Sequence, residues 1–428
     1  MQKIVKTNEV FTPSTSAKLT FIEREVVNSQ IVNTLNTPGK QLVIYGHSGC
    51  GKTTLIVNKL LQLYENHITV RCTSTLTYEE IVLQAFDELN PYYQDSSTNT
   101  HTSSSSLKLK ADYELIKAEI GAGTTTTEKG TIKRIIPPTL TMQTLARLLG
   151  NARCCFVLED FHKIVANEKI KLSQTMKLFV DMAEEFPELK IICIGAVNTG
   201  REVVQYDSEL NDRVSEIKVP LMTNQEIAKI IEKGFPLLNI TIPNFIQERI
   251  VTVVNGVPSA CHSVCLQICF SMNIFETLKD NITVTMEMFE NGVKGYIDDS
   301  SDSIKSDFEI ALMQRKGKYK NAALIFKALA SFDIEGVEQH DLLLKIQKDE
   351  ATYPAGNLSS FLKQLVKNDK GSIIIKRANN YCFRTPIYKI YAQHLFSENY
   401  AGEITHDTID MDLKIVKEKL NYLSNSYK

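Results

Sequence analysis

An apolar run, a glycine-rich turn and a Lys-Thr pair opening an amphipathic segment follow one another at Gln41-Leu42-Val43-Ile44-Tyr45-Gly46-His47-Ser48-Gly49-Cys50-Gly51-Lys52-Thr53-Thr54. This is G-x-x-x-x-G-K-T between a strand and a helix, the context in which the motif has physical meaning. Gly46, Gly49 and Gly51 let the backbone take conformations that side chains forbid and let N–H groups approach phosphate oxygens. The helix behind the loop aims its positive dipole end at the same oxygens. Lys52 is expected to reach the β- and γ-phosphates of a nucleotide, and the Thr53 hydroxyl to ligate Mg²⁺. His47, Ser48, Cys50 and Thr54 complete the expected nucleotide-binding loop.

A strand that feeds such a loop needs parallel neighbours. Strand candidates at 41–45, 68–73, 155–159, 191–197 and 215–219 alternate with helical segments at 52–66, 77–89 and 171–186. Apolar strands separated by helices predict an α/β fold with a parallel sheet covered on both faces. Residues 94–138 break the pattern and read as an insertion. A polar stretch, QDSSTNTHTSSSS, leads there into a candidate β-hairpin at 114–120 and 131–136.

From Thr223 the pattern turns helical. Helices are expected at 224–233, 243–254, 259–274 and 304–315, then, past a basic hinge, at 321–332, 338–348 and 357–368. In the last of these Leu358, Phe361, Leu362, Leu365 and Val366 form one apolar stripe. Strands at 372–377 and 381–384 are expected to pair across Ala378-Asn379-Asn380, with Tyr381 and Phe383 in the core. Three helices and a hairpin predict a C-terminal winged helix–turn–helix. The expected domains are thus 1–222 for the sheet, 223–310 for a helical lid, 311–392 for the winged helix and 393–428 for a helical tail.

Charge separates these parts. Residues 311–390 hold 14 Lys+Arg against 7 Asp+Glu, a net of +7, in a chain whose total is −2. The nine cysteines show no framework spacing, as in a reducing cytosol. Cys261, Cys265 and Cys269 share one helix face. His262 lies about 100° away, so buried small hydrophobes fit better than metal ligands. The N-terminus has no apolar signal core, and no run approaches the roughly 20 apolar residues of a membrane span, so a cytoplasmic location is expected.

Past the loop, Cys154-Cys155-Phe156-Val157-Leu158 ends in Glu159 and Asp160. Nucleotide hydrolysis needs carboxylates at such a strand end. Glu159 is assigned to the metal and Asp160 to the attacking water, with exchangeable roles. The order Glu-Asp departs from the commoner Asp-Glu or Asp-Asp, and the shorter Asp160 suggests slow water activation. His162 either caps the turn or touches the site. Asn198, after the strand at 191–197, can bond both the γ-phosphate and the water, or serve as a plain turn residue. Arg213 is either an arginine finger for a neighbour's γ-phosphate or half of an Arg–Asp pair.

Together these residues resemble the AAA+/STAND branch of P-loop ATPases, and more narrowly the bacterial and archaeal ATPases related to replication initiators and transposition regulators. The resemblance rests on Phe21-Ile22-Glu23-Arg24, Gly46–Thr53, Leu158-Glu159-Asp160, Asn198, Arg213, Gly256-Val257-Pro258 and Tyr381–Tyr388. It implies an AAA+-like sheet order of 5-1-4-3-2, with ATP between the sheet and the helical lid. It also implies that Arg24 and Pro258 join the nucleotide site. Ser259-Ala260-Cys261-His262 offers no lid arginine, which favours a STAND-like switch over a processive motor.

Two functions fit. In the first, ATP and Mg²⁺ control assembly, as a homo-oligomer, and duplex-DNA binding. Ser359, Ser360, Lys363, Gln364 and Lys367 would then face a groove while Lys376 and Arg377 meet phosphates. In the second, the chain regulates a separately encoded effector protein without DNA. A bacterial defence or mobile-element setting suits either.

Overall fold

The computed structural model describes residues 4–64, 66–89, 92–93, 133–134, 141–196, 210, 212–299, 302–313, 319–332, 336–367, 373–377 and 379–396. The chain divides into two compact units, Thr12–Ile230 and Met1–Phe11 with Ile231–Lys428.

In the first unit, β1 (Gln41–Tyr45), β2 (Asn66–Arg71), β3 (Cys154–Glu159), β4 (Ile191–Gly195) and β5 (Val214–Lys218) form one parallel sheet. Its order is β2-β3-β4-β1-β5, which is the expected 5-1-4-3-2 read from the other edge. Strand alternation puts Phe156 and Leu158 on one face and Cys155 and Val157 on the other. The first pair lies in a core with Phe86, Leu145, Leu149, Met176 and Phe179. The second lies in a core with Ile31, Leu35, Ile56 and Leu60. Five helices carry those residues. They are α1 (Glu25–Leu35), α2 (Lys52–Leu63), α3 (Tyr78–Glu88), α4 (Met142–Asn151) and α5 (Ala166–Asp181).

Local chemistry fixes where these elements begin. Thr77 and Glu80 form a reciprocal capping box at the start of α3. Helix α5 begins five residues before the expected 171, because Glu168 in its first turn accepts the Tyr78 N–H at 2.7 Å. Helix α2 stops at Leu63, since Tyr64 is extended and Asn66 opens β2. Gln41, fully buried, accepts from Ile191 N at 2.8 Å while its own N–H donates to Arg213 O at 2.8 Å. It thereby anchors β1 between β4 and β5. In the insertion, Lys133 and Arg134 pair with Tyr93 and Tyr92. The expected partner at 114–120 lies outside the described residues, as does the expected tail helix.

The second unit takes in residues 4–11, expected from the sequence to belong with the sheet. Thr7 N donates to Phe275 O at 2.9 Å, and Thr7 Oγ1 to Ile274 O at 3.0 Å. The Phe11 ring sits 5.0 Å from that of Phe235. The helices here are α6 (Asn224–Leu237, begun in the first unit), α7 (Asn244–Val254), α8 (Pro258–Ser271), α9 (Met286–Asp299) and α10 (Asp302–Leu312).

Next come α11 (Asn321–Ala330), β6 (Val337–Glu338), α12 (Gln339–Asp349), α13 (Ala355–Leu365), β7 (Ile374–Arg377), β8 (Asn380–Phe383) and α14 (Pro386–Leu395). The three strands form an antiparallel sheet in the order β6-β8-β7. The hairpin is present with a tighter loop than expected, because Asn380 already pairs with Arg377. Leu358, Leu362, Leu365, Tyr381 and Phe383 are buried, as the apolar pattern required. So is Phe308 of α10, whose ring lies 5.2 Å from that of Phe326. The expected boundary after residue 310 therefore cuts through a packed helix. Among the described residues no helix is long and apolar enough to cross a membrane.

Cys261, Cys265 and Cys269 are fully buried in α8, and His262 is 4% exposed, edge-on to Phe11. Burial pushes the His262 pKa from 6.5 down to about 4. Across that window the unfolded chain takes up a proton that the folded chain refuses. The resulting stability is whole above pH 6.5 and is lost as pH falls toward 4. Between pH 7 and pH 5, wild type should lose about 2 kcal/mol more unfolding free energy than His262→Leu. Urea titrations at the two pH values check this; equal losses would refute it.

Candidate functional site

The loop between β1 and α2 has the geometry its glycines predict. Gly49 and Gly51 have φ of 76° and 89°, where L side chains are disfavoured. Gly51 is the N-cap of α2, and its carbonyl accepts from Leu55 N at 2.9 Å. The first-turn amides of α2, from Lys52 to Thr54, open toward the loop as helix N-termini do. Gly46 has a different reason to be glycine. A Cβ there would lie 2.5 Å from the carbonyl oxygen of Val219.

Lys52 arches back over the loop. Its Nζ donates to Gly46 O at 3.0 Å and His47 O at 2.7 Å. Cys50 is 1% exposed, and its Sγ–H points at Val219 O at 3.6 Å. Burial raises its thiol pKa in spite of nearby Lys52, so Cys50 is a buried wedge beneath the loop and not a nucleophile. His47 is buried and Ser48 exposed. Thr54 sits in the first turn of α2, its carbonyl accepting from Asn58 Nδ2 at 2.8 Å.

The two acidic residues part company at the end of β3. Thr53 Oγ1 donates to Glu159 Oε1 at 2.6 Å, which brings together the two expected metal ligands. The other Glu159 oxygen accepts from Arg71 Nε at 3.4 Å. Asp160 turns away with φ 59° and pairs with Lys163 Nζ at 2.6 Å. Cys72 lies beside both carboxylates, and its thiol is pushed up to about 12 by burial and then by their charges. His162 is half-buried; its Nδ1 has no hydrogen-bond partner and burial lowers its pKa. Thr53 and Glu159 present hard oxygen donors beside the phosphate loop, a set that fits Mg²⁺.

The other expected site residues make different contacts. The Arg24 guanidinium, 7% exposed, donates to Pro220 O, Leu221 O and the Glu226 carboxylate, so it grips the segment after β5. Arg213 stands at the N-terminal end of β5, at the opposite end of the strands from the loop. It pairs with Asp181 at 3.5 Å with both side chains exposed. Asn198 lies outside the described residues. Pro258 belongs to the second unit. There Asn255 and Gly256, with φ of 47° and 74°, end α7, and Pro258 opens α8.

On α13, Ser360, Lys363 and Gln364 are exposed, as is Lys367 just past its end. Ser359 accepts from Gln339 Nε2 at 2.7 Å. Lys376 lies over the Tyr381 ring at 5.5 Å, and Arg377 is half-exposed. Arg71 and Lys163, both in contact with the acidic pair, were not anticipated. Lys163 had a sequence signal in its i+3 spacing from Asp160. Arg71 had none, since only the β2–β3 register sets it beside Glu159.

A family model, described as an ATPase domain predominantly from Archaea, matches residues 21–264. No curated protein matches the sequence. Among solved structures, the Walker-type ATPase PABY2304 of Pyrococcus abyssi is similar, with TM-score 0.52 and 15% identity over 87% of this chain and 96% of that one. The ORC2 protein of Aeropyrum pernix gives TM-score 0.46 and 12% identity over 90% and 97%. The RuvB Holliday junction branch migration motor of Thermotoga maritima gives 0.42 and 12% over 88% and 96%.

Gly46→Ala should displace the Val219 carbonyl, which is backbone and cannot swing aside. The expected cost is about 1–3 kcal/mol of stability, with weakened nucleotide binding. A melting curve and an MgATP titration check both; wild-type values in each would show that the loop does not rest on Val219.

Proposed function

This chain belongs to the family of ATPase domains found predominantly in Archaea, and on that premise we propose that it is an ATP-dependent switch controlling assembly and a DNA-binding C-terminal region. The observation that carries the nucleotide reading is the 2.6 Å contact between Thr53 and Glu159. It joins the start of the helix after β1 to the carboxylate at the end of β3, two strands away in the same sheet.

Lys52, released from the loop carbonyls, meets the β- and γ-phosphates, and the α2 N-terminus with the loop amides cradles the rest. Thr53 and Glu159 would hold Mg²⁺, which when bound would neutralise the charge of the phosphates. Asp160 orients the attacking water, for which it must leave Lys163. That exchange suits a slow hydrolase acting as a timer better than a fast motor. The missing arginine after Pro258 points the same way.

The C-terminal region has the helix–strand–helix–helix–hairpin order of a winged helix, and its +7 charge supports duplex DNA as the partner. Ser360, Lys363, Gln364 and Lys367 form the outward polar face of the candidate recognition helix. Ser359 faces Gln339 and belongs to the packing of that helix on α12.

Two measurements on the full chain test this reading. Asp160→Asn, which suits the left-handed backbone of its position, should bind ATP, turn it over far more slowly and accumulate as a larger or more compact particle with MgATP in sizing experiments. No change in size or shape would end the switch reading. Duplex-DNA affinity should fall with salt on a log–log slope of about −3 to −4, if Lys363, Lys367, Lys376 and Arg377 each meet a phosphate. Absence of binding at low salt would favour the alternative, a regulator of a separate effector protein.

A further inference from the structure

Arg24 is among the least exposed cations described in the first unit, and its side-chain hydrogen bonds go to one short stretch. Its Nη1 donates to Pro220 O at 2.8 Å and its Nη2 to Leu221 O at 2.9 Å. Its Nε reaches Glu226 Oε1 at 3.2 Å. A guanidinium presents its donors in a rigid fork, and here the fork closes on the connector between β5 and α6. We infer that Arg24 is a latch, a positioning residue that carries the state of the phosphate loop through this connector to the first turn of α6. The inference rests on the loop binding ATP as proposed above.

The connector touches the loop at one end. Val219 N donates to Tyr45 O at 2.8 Å, the last hydrogen bond before the loop begins. The Val219 carbonyl lies under Gly46 and accepts from Cys50 Sγ. A loop that shifts to wrap phosphates therefore shifts against Val219, because no space separates them. The next two carbonyls, of Pro220 and Leu221, are the ones Arg24 holds.

At its other end the connector enters α6 through a reciprocal cap. Thr223 N donates to Glu226 Oε2 at 2.8 Å, and Glu226 N to Thr223 Oγ1 at 3.2 Å. Glu226 thus gives one oxygen to the cap and the other to Arg24. Arg24 itself is held from behind. The preceding residue, Glu23, accepts from Lys59 Nζ of α2 at 3.0 Å, and Lys59 is buried. Adjacent residues of the 21–24 segment therefore grip the helix that starts at the phosphate loop and the connector that leaves the sheet beside it.

Three consequences separate a latch from the nucleotide contact that the resemblance implied for Arg24. Lysine keeps the charge but cannot fork to two carbonyls and a carboxylate at once, so Arg24→Lys should fail as a latch. The damage should appear at residues 219–230 and spare the loop. Glu226→Gln, which keeps the cap geometry and removes the charge, should loosen the same stretch less.

The experiment is amide hydrogen exchange of the full chain with and without Mg²⁺ and the non-hydrolysable analogue AMP-PNP. In wild type the analogue should slow exchange both at 46–55 and at 219–230. In Arg24→Lys, exchange at 219–230 should quicken by ~10-fold or more and no longer respond to the analogue, while 46–55 stays protected by it. Glu226→Gln should show the same effect in smaller measure. Arg24→Lys or Glu226→Gln retaining full analogue-dependent protection at 219–230 would overturn the latch. Loss of protection at 46–55 in Arg24→Lys would instead make Arg24 a nucleotide ligand and overturn it too. A wild type whose 46–55 amides ignore the analogue would sink the nucleotide reading first, and the latch with it.

Discussion

The parallel pairing of β1 with β4 on one side and β5 on the other is the constraint on which the rest depends. Parallel neighbours align strand ends, so the C-terminal ends of β1 and β3 come out on one edge of the sheet. That alignment places a glycine loop next to a carboxylate more than a hundred positions further along the chain. It also sets Val219, at the exit of β5, directly beneath Gly46. Buried Gln41 fixes the register from below by bonding to both flanking strands. Buried Lys190 closes the same end of the sheet, donating to the carbonyls of Thr37 and Lys40, and burial lowers its pKa to about 8.

What could be read from the sequence was what local chemistry dictates. The phosphate loop, the acid at the end of β3 and the alternation of strands and helices each follow from a short run of residues. The apolar stripe of α13 and the hairpin after it do as well. The sheet order was implied by resemblance and not by any residue pattern. Helix α4 carried an apolar stripe of Met142, Leu145, Ala146 and Leu149 behind the capping Thr141, yet it stood in the shadow of the long polar insertion before it. Strand β6 has two residues and no periodicity, so nothing local marks it.

The site divides along the same line. Lys52 and Thr53 owe their places to motif spacing, and Glu159 was legible as an acid at the end of an apolar strand, though strand topology brings it to the loop. Arg71 reaches Glu159 only through the register of two strands, and Arg24 reaches its partners about two hundred positions away in sequence. Such contacts depend on topology, and a charged side chain names no partner by itself. Residues 4–11 show the same limit. Their hydrogen bonds go to residues near 275, and nothing in a Thr-Asn-Glu-Val run announces that.

The left-handed backbone at Asp160 bears on the unusual order of the acidic pair. For most L-residues that region costs about 1–2 kcal/mol, and short polar side chains such as Asp and Asn offset it by local hydrogen bonding. The longer Glu lacks that compensation. The residue that must extend to Thr53 occupies the regular strand position, where a long side chain is free of strain. The residue that must turn occupies the position where only a short one sits comfortably. Exchanging the two would put reach where it is unneeded and strain where the chain bends. Glu before Asp is, on this geometry, a grammatical rule of the turn, written by backbone sterics before any chemistry is asked of it.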